Sequence, residues 1–68
     1  MKQIEDYYGV IFVNIHNEYI EYFLSKGAEG LCCITENTDQ DGQWVSYKDA
    51  EVLHYFETGV WIVTGFGN

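Results

Sequence analysis

The fold turns on one stretch, Asn17-Glu-Tyr-Ile-Glu-Tyr-Phe-Leu-Ser-Lys-Gly27. Asn17 is a good helix cap, Glu18 and Glu21 suit a first turn, and Lys26 suits a last turn closed by Gly27. Ile20, Phe23 and Leu24 recur at helical spacing. The stretch therefore predicts a helix over 17–26. Before it, Tyr8-Gly-Val-Ile-Phe-Val-Asn-Ile15 is rich in β-branched and aromatic residues and predicts a strand. After it, Gly30-Leu-Cys-Cys-Ile-Thr-Glu36 predicts a second strand. Asn37-Thr-Asp-Gln-Asp-Gly42 is turn chemistry, and Gln43-Trp-Val45 resumes extended structure. Ser46-Tyr-Lys-Asp49 fits a Ser-x-x-acid helix start. Val52, Leu53 and Phe56 follow as an apolar face, with Gly59 as the stop. Gly59-Val-Trp-Ile-Val-Thr64 predicts a buried final strand.

The resulting order, β-α-β-β-α-β, is an α+β arrangement of the ferredoxin-like kind. A second reading stays open at the start of the chain. Ile4, Tyr8, Ile11, Phe12 and Ile15 also share one helical face. That gives α-β-β-α-β with a long N-terminal helix. In either case residues 1–68 form a single domain.

Composition limits what this domain does. The chain has 11 Asp+Glu against three basic residues, all of them Lys, for a net charge of −8. Such a surface repels nucleic acid and anionic membrane and attracts basic protein surfaces. With 47% hydrophobic residues it is far too apolar for a disordered acidic tail. Four Phe, two Trp and six Tyr are more rings than a 68-residue core easily encloses, so some are expected on the surface. Exposed Tyr and Trp are interface material. No signal peptide or membrane span is visible, since no apolar run is longer than the four residues Val10 to Val13. Cys32 and Cys33 are adjacent, point to opposite faces of a strand and cannot staple the fold to each other. A secreted domain this small normally carries several disulfides, so the expected location is the cytosol.

The sharpest motif is Asn37-x-Asp39-x-Asp41-Gly42, which matches the opening of an EF-hand calcium loop. The bidentate Glu should stand six residues after the Gly, and that position holds Lys48. The expected structure is instead a β-hairpin with Asp41-Gly42 at its tip, and no metal or cofactor is expected. His16 and His54 have no second His or Cys at ligand spacing. There is no nucleophile elbow, no Cys-His-Asn signature and no phosphate-cradling glycine loop. The chain therefore reads as a non-enzyme.

Six acids have a local explanation. Glu18, Glu21, Asp49 and Glu51 stand at expected helix starts, where they complement the dipole, and Asp39 and Asp41 form turns. Glu5, Asp6, Glu29, Glu36 and Glu57 have none. Structural needs place acids but do not exclude arginine. The expected function is thus a small inhibitor that acts by protein–protein contact. It would occlude the basic nucleic-acid-binding surface of a host protein or nuclease without binding nucleic acid itself. In size, acidity, aromatic content and lack of a catalytic motif the chain resembles phage-encoded anti-defence proteins and DNA mimics, including anti-CRISPR proteins. That likeness is one of type and rests on no motif. The expected contact acids are Glu36, Asp39 and Asp41 around the hairpin and Asp49, Glu51 and Glu57 on the second helix. Trp44, Tyr47 and Tyr55 are the expected aromatic contacts. The alternative is a structural or self-associating domain, such as a homodimer, that buries its surplus aromatics against a copy of itself.

Overall fold

The stretch over 17–26 is a strand. A computed structural model describes residues 3–39 and 42–67, apart from the Asp39 side chain. A 3₁₀ turn, Ile4–Tyr7, leads into β1, Val10–Asn14, and a two-residue turn connects β1 to β2, Asn17–Lys26. β3, Leu31–Glu36, is followed by a second 3₁₀ turn, Asn37–Asp39, and then by β4, Val45–Lys48. Helix α1, Asp49–Glu57, returns the chain to β5, Trp61–Phe66. One five-stranded sheet results, in the order β4-β3-β2-β1-β5, with every neighbouring pair antiparallel. The class is α+β, with one α-helix and one sheet among the described residues. Neither a β-α-β-β-α-β order nor a long N-terminal helix describes it.

The reason lies in the period of the residues in β2. Ile20, Phe23 and Leu24 satisfy helical spacing, but Ile20, Tyr22 and Leu24 satisfy alternation equally well. Once β1 and β3 flank the segment, alternation wins. Tyr22 pairs with Phe12 on one side and Glu36 on the other, and Leu24 pairs with Ile34. At Tyr22 and Phe23 β2 is thus paired on both edges, and Leu24 is wholly buried. The tyrosines and phenylalanine of this segment also favour a pleated surface.

Two smaller expectations are also corrected. Ser46-Tyr-Lys forms β4 and does not start a helix; α1 begins at Asp49, after Lys48, with no side-chain cap. Ser46 lies opposite Cys33 in the ladder, where strand pairing satisfies its backbone. β5 is an edge strand and is buried only at Trp61, not throughout. α1 ends as expected, because Gly59 has a positive φ of +80° that a side chain would strain. The Asp41–Gly42 hairpin tip lies partly outside the described residues, but β3 and β4 do pair as an antiparallel hairpin.

The sheet is strongly coiled. Laid flat, five strands would hold the edge strands ~19 Å apart. Yet the rings of Tyr47 on β4 and Trp61 on β5 lie with centroids only 5.5 Å apart. The two edges therefore curl toward each other around a concave face. α1 and the first 3₁₀ turn cover one end of that face. Val10, Phe12, Leu24, Cys32, Ile34, Val52 and Trp61 fill it together with Tyr7. Trp61 is the hub of a ring cluster, with centroids 4.7 Å from Phe12, 4.6 Å from Tyr55 and 5.7 Å from Phe56. Tyr7 stacks on Phe56 at 4.2 Å and so locks the first turn onto the helix.

Candidate functional site

The uncovered end of the concave face is a cleft. Phe12, Asn14, Tyr22, Ile34, Tyr47 and Trp61 line an inner cavity of about 110 Å³. These residues come from β1, β2, β3, β4 and β5, and only coiling of the sheet brings them together. Tyr22, Ile34 and Tyr47 continue into an outer recess of about 350 Å³, whose rim includes Glu36 and Gln43. Two hydrogen bonds define the polar rim. The Thr35 hydroxyl donates to the Gln43 carbonyl at 2.8 Å, and the Asn14 side-chain oxygen accepts the His16 backbone N–H at 2.9 Å. The rings are held from behind by the core, because Phe12 stacks on both Tyr22 and Trp61.

The described lysines and one cluster of carboxylates stand at opposite ends of the strands, and Glu29 and Asp49 share the lysine end. Glu18, Glu21 and Glu36 line one shallow depression together with Tyr19, Ile20 and Thr38. Lys26 pairs with Cys32 and Lys48 with Leu31, at the opposite ends of β2, β3 and β4. Five residue steps along β3 separate Leu31 from Glu36, roughly 17 Å of strand. Loss of the expected first helix therefore changes the standing of two acids. Glu18 and Glu21 have no helix dipole to complement and join Glu36 as surface carboxylates.

The described members of the expected contact set are spread over different parts of the molecule. Glu36 is exposed at the end of β3 beside the cleft. The Asp39 backbone belongs to the second 3₁₀ turn; its side chain and all of Asp41 lie outside the described residues. The Asp49 N–H donates to the Gly30 carbonyl at 3.0 Å, which puts the start of α1 at the lysine end of the sheet. Glu51 and Glu57 are exposed on α1. Tyr47 is half-buried and lines the cleft, whereas Tyr55 is half-buried on the helix side of Trp61. Trp44 is 39% exposed and meets Phe23 edge-on at 6.2 Å, on the outer face of the sheet. Phe12, Tyr22 and Trp61 were not singled out in the sequence, because nothing in their spacing indicates that they meet.

Asp49 has a structural role. The Cys32 thiol donates to its Oδ1 at 3.0 Å, and Cys32 is fully buried. Burial, reinforced by that hydrogen bond and the carboxylate charge, pushes the thiol up to about 12 from an ordinary value of 9.0. A thiol held protonated in this way is a poor nucleophile and a poor metal ligand. Cys33 faces the other side of β3, beneath Gly27, and both cysteines are free. Among the described residues no three His, Cys, Asp or Glu side chains are grouped to hold a metal ion. No described helix is long and apolar enough to cross a membrane.

These features define a class, an α+β domain with a coiled antiparallel sheet and an aromatic cleft at one acidic end. The chain matches no protein-family model, no curated protein and no solved structure.

Proposed function

We propose that the protein is a non-enzymatic binding domain that covers a basic surface of a nucleic-acid-handling protein. The observation that carries this reading is a cluster of three carboxylates in one depression that no lysine lines. Glu18, Glu21 and Glu36 share one depression, while Lys26 and Lys48 stand at the far end of the strands. The total of −8 draws the domain toward a positive groove, and the carboxylate depression offers that groove a local contact. Duplex DNA offers such a groove one negative charge per ~1.7 Å of axis, and a rigid row of carboxylates competes for the same site. A phage-encoded inhibitor of a host nuclease, restriction enzyme or CRISPR effector, acting in the host cytosol, fits this mechanism.

Affinity capture from bacterial lysate identifies the partner, and a competition assay tests the mechanism. Purified partner should lose its DNA or RNA when this protein is added, and the effect should weaken as salt rises. Direct binding of nucleic acid by the domain itself, or a partner that keeps its nucleic acid at saturation, rules the reading out.

A second reading rests on β5. This edge strand exposes Ile62, Val63 and Phe66, and no charged residue occurs from Thr58 to the end of the sequence. An uncharged apolar edge is a template for strand pairing. Self-association through β5 predicts a concentration-dependent dimer by light scattering, abolished by Val63→Lys.

A further inference from the structure

We infer that the inner cavity is a receptor for the guanidinium group of an arginine side chain on a partner protein. The inner cavity of about 110 Å³ is the narrow end of a cleft whose outer recess measures about 350 Å³. It admits the head of one side chain. Its lining includes the rings of Phe12, Tyr22, Tyr47 and Trp61. Phe12 and Trp61 are buried and spend their faces on stacking, so the half-buried rings of Tyr22 and Tyr47 are the ones that can attract a cation through the ring quadrupole. A neutral apolar occupant is the competing possibility, but it leaves the acidic surroundings unused. Glu36 stands on the rim of the outer recess, and Glu18 and Glu21 share the next depression with it. This complementarity selects a cation.

Among cations, the chemistry of the walls favours guanidinium. No carboxylate lines the inner cavity. A lysine ammonium is strongly hydrated and would give up its water there for no strong acceptor. Guanidinium is planar, more weakly hydrated and stacks on rings. One face can lie against the aromatics while an edge N–H reaches outward toward the Glu36 carboxylate. The inference deepens the proposed function, because it rests on that reading for the basic character of the partner. The cavity itself can be tested without the partner.

The test is an NMR titration of the whole protein with N-acetyl-arginine amide, following the Trp61 indole N–H. N-acetyl-citrulline amide has nearly the same shape without the charge, and N-acetyl-lysine amide has the charge without the plane. Saturable shifts with arginine, roughly tenfold tighter than with either analogue, are expected. Tyr47→Leu should abolish them and Tyr47→Phe should preserve them. Since Tyr47 also supports Trp61, Glu36→Gln provides a variant at an exposed site. It should weaken arginine several-fold and leave citrulline unchanged. Equal affinity for citrulline, tighter binding of lysine, or no saturable shift overturns the inference. Saturable arginine binding without any basic partner keeps the inference and removes the larger reading. A basic partner bound equally well by wild type and Tyr47→Leu does the reverse.

Discussion

The two ends of the coiled sheet are built from the same strands and serve opposite purposes. At the lysine end, α1 and the first 3₁₀ turn close over the concave face. Polar groups there are turned inward and paired, as in the Cys32 thiol to Asp49 contact. At the acidic end the rings of Tyr22 and Tyr47 border open space. Trp61 belongs to both regions. One side of it packs on Tyr55 and Phe56, and it also lines the cavity. A single buried ring thus supports the core and forms the back wall of the cleft. A small domain can keep an open site because the residues behind it are over-determined by the core.

Breaking that shared ring should have the largest effect. Trp61 is only 8% exposed and touches rings from β1, β4 and α1. Trp61→Ala should cost about 3–5 kcal/mol, comparable to the whole stability of a domain this size. Urea denaturation should find the variant largely unfolded. A loss near 1 kcal/mol would mean that the two ends are stabilised independently.

A smaller effect is expected on the outer face, where no helix packs. Gly67 donates its N–H to the Gly9 carbonyl at 2.7 Å, and a Cβ there would overlap the Phe23 ring. Gly67→Ala should displace that ring, and Trp44 with it, at a cost of about 1–3 kcal/mol. Thermal melting combined with tryptophan fluorescence would separate this from damage to the cleft. The emission should change through Trp44, while the Trp61 indole N–H stays in place.

Much of the fold was legible in the sequence, and the failures share a cause. β1, β3, β5 and the end of α1 were readable because each is fixed by composition within a few residues, as in Gly30-Leu-Cys-Cys-Ile-Thr-Glu36. The inward face of α1 was readable too, with Val52 wholly buried and Leu53 and Phe56 packed on the core. β2 was not. Ile20, Phe23 and Leu24 fit two periods, and the choice between them is made by neighbours distant in the chain. The cleft was illegible for the same reason: its rings stand on separate strands, and the coil of the sheet decides that they meet. Asp49 is legible as a helix-start acid, but its partner Cys32, 17 positions earlier, could not be inferred. Glu36 was the exception, since an acid with no local role is visible in sequence.

The closed end should also respond to alkali. The Cys32 thiol is raised to about 12 in the folded protein, against 9.0 ordinarily. Below pH 9 both states keep the proton, and the stabilisation from the thiol–carboxylate contact is complete. Between about 9 and 12 the unfolded chain loses its proton first, so stability falls as pH rises. Cys32→Ser keeps a donor for Asp49 but does not ionise in this range. Its stability should therefore decline less steeply over that window in parallel urea titrations. Equal slopes would remove Cys32 as the source. Tyr8, also raised by burial and by the Asp49 charge, would then be the group to replace, with Phe.

The smallest effect on stability is expected at the open end, and there it sharpens the comparison most. Glu18, Glu21 and Glu36 are exposed and share one depression. Replacing all three with Gln should change stability by no more than about 0.5 kcal/mol. A slight gain is the favoured sign, because three like charges in one depression repel one another. Binding should behave differently. Rim charges act mainly on association rate and its dependence on salt. At ~0.1 M salt the screening length is near 10 Å, so charges clustered in one depression still act together on an approaching basic surface. The triple variant should associate more slowly with the captured partner and show a flatter salt dependence, with dissociation little changed. The matched control, Asp49→Asn at the closed end, should reverse the pattern. It weakens the Cys32 contact and lowers stability while leaving association unaffected. If instead the triple variant binds like wild type and Asp49→Asn slows association, the partner docks on the helix end, and the open cleft is not the contact face.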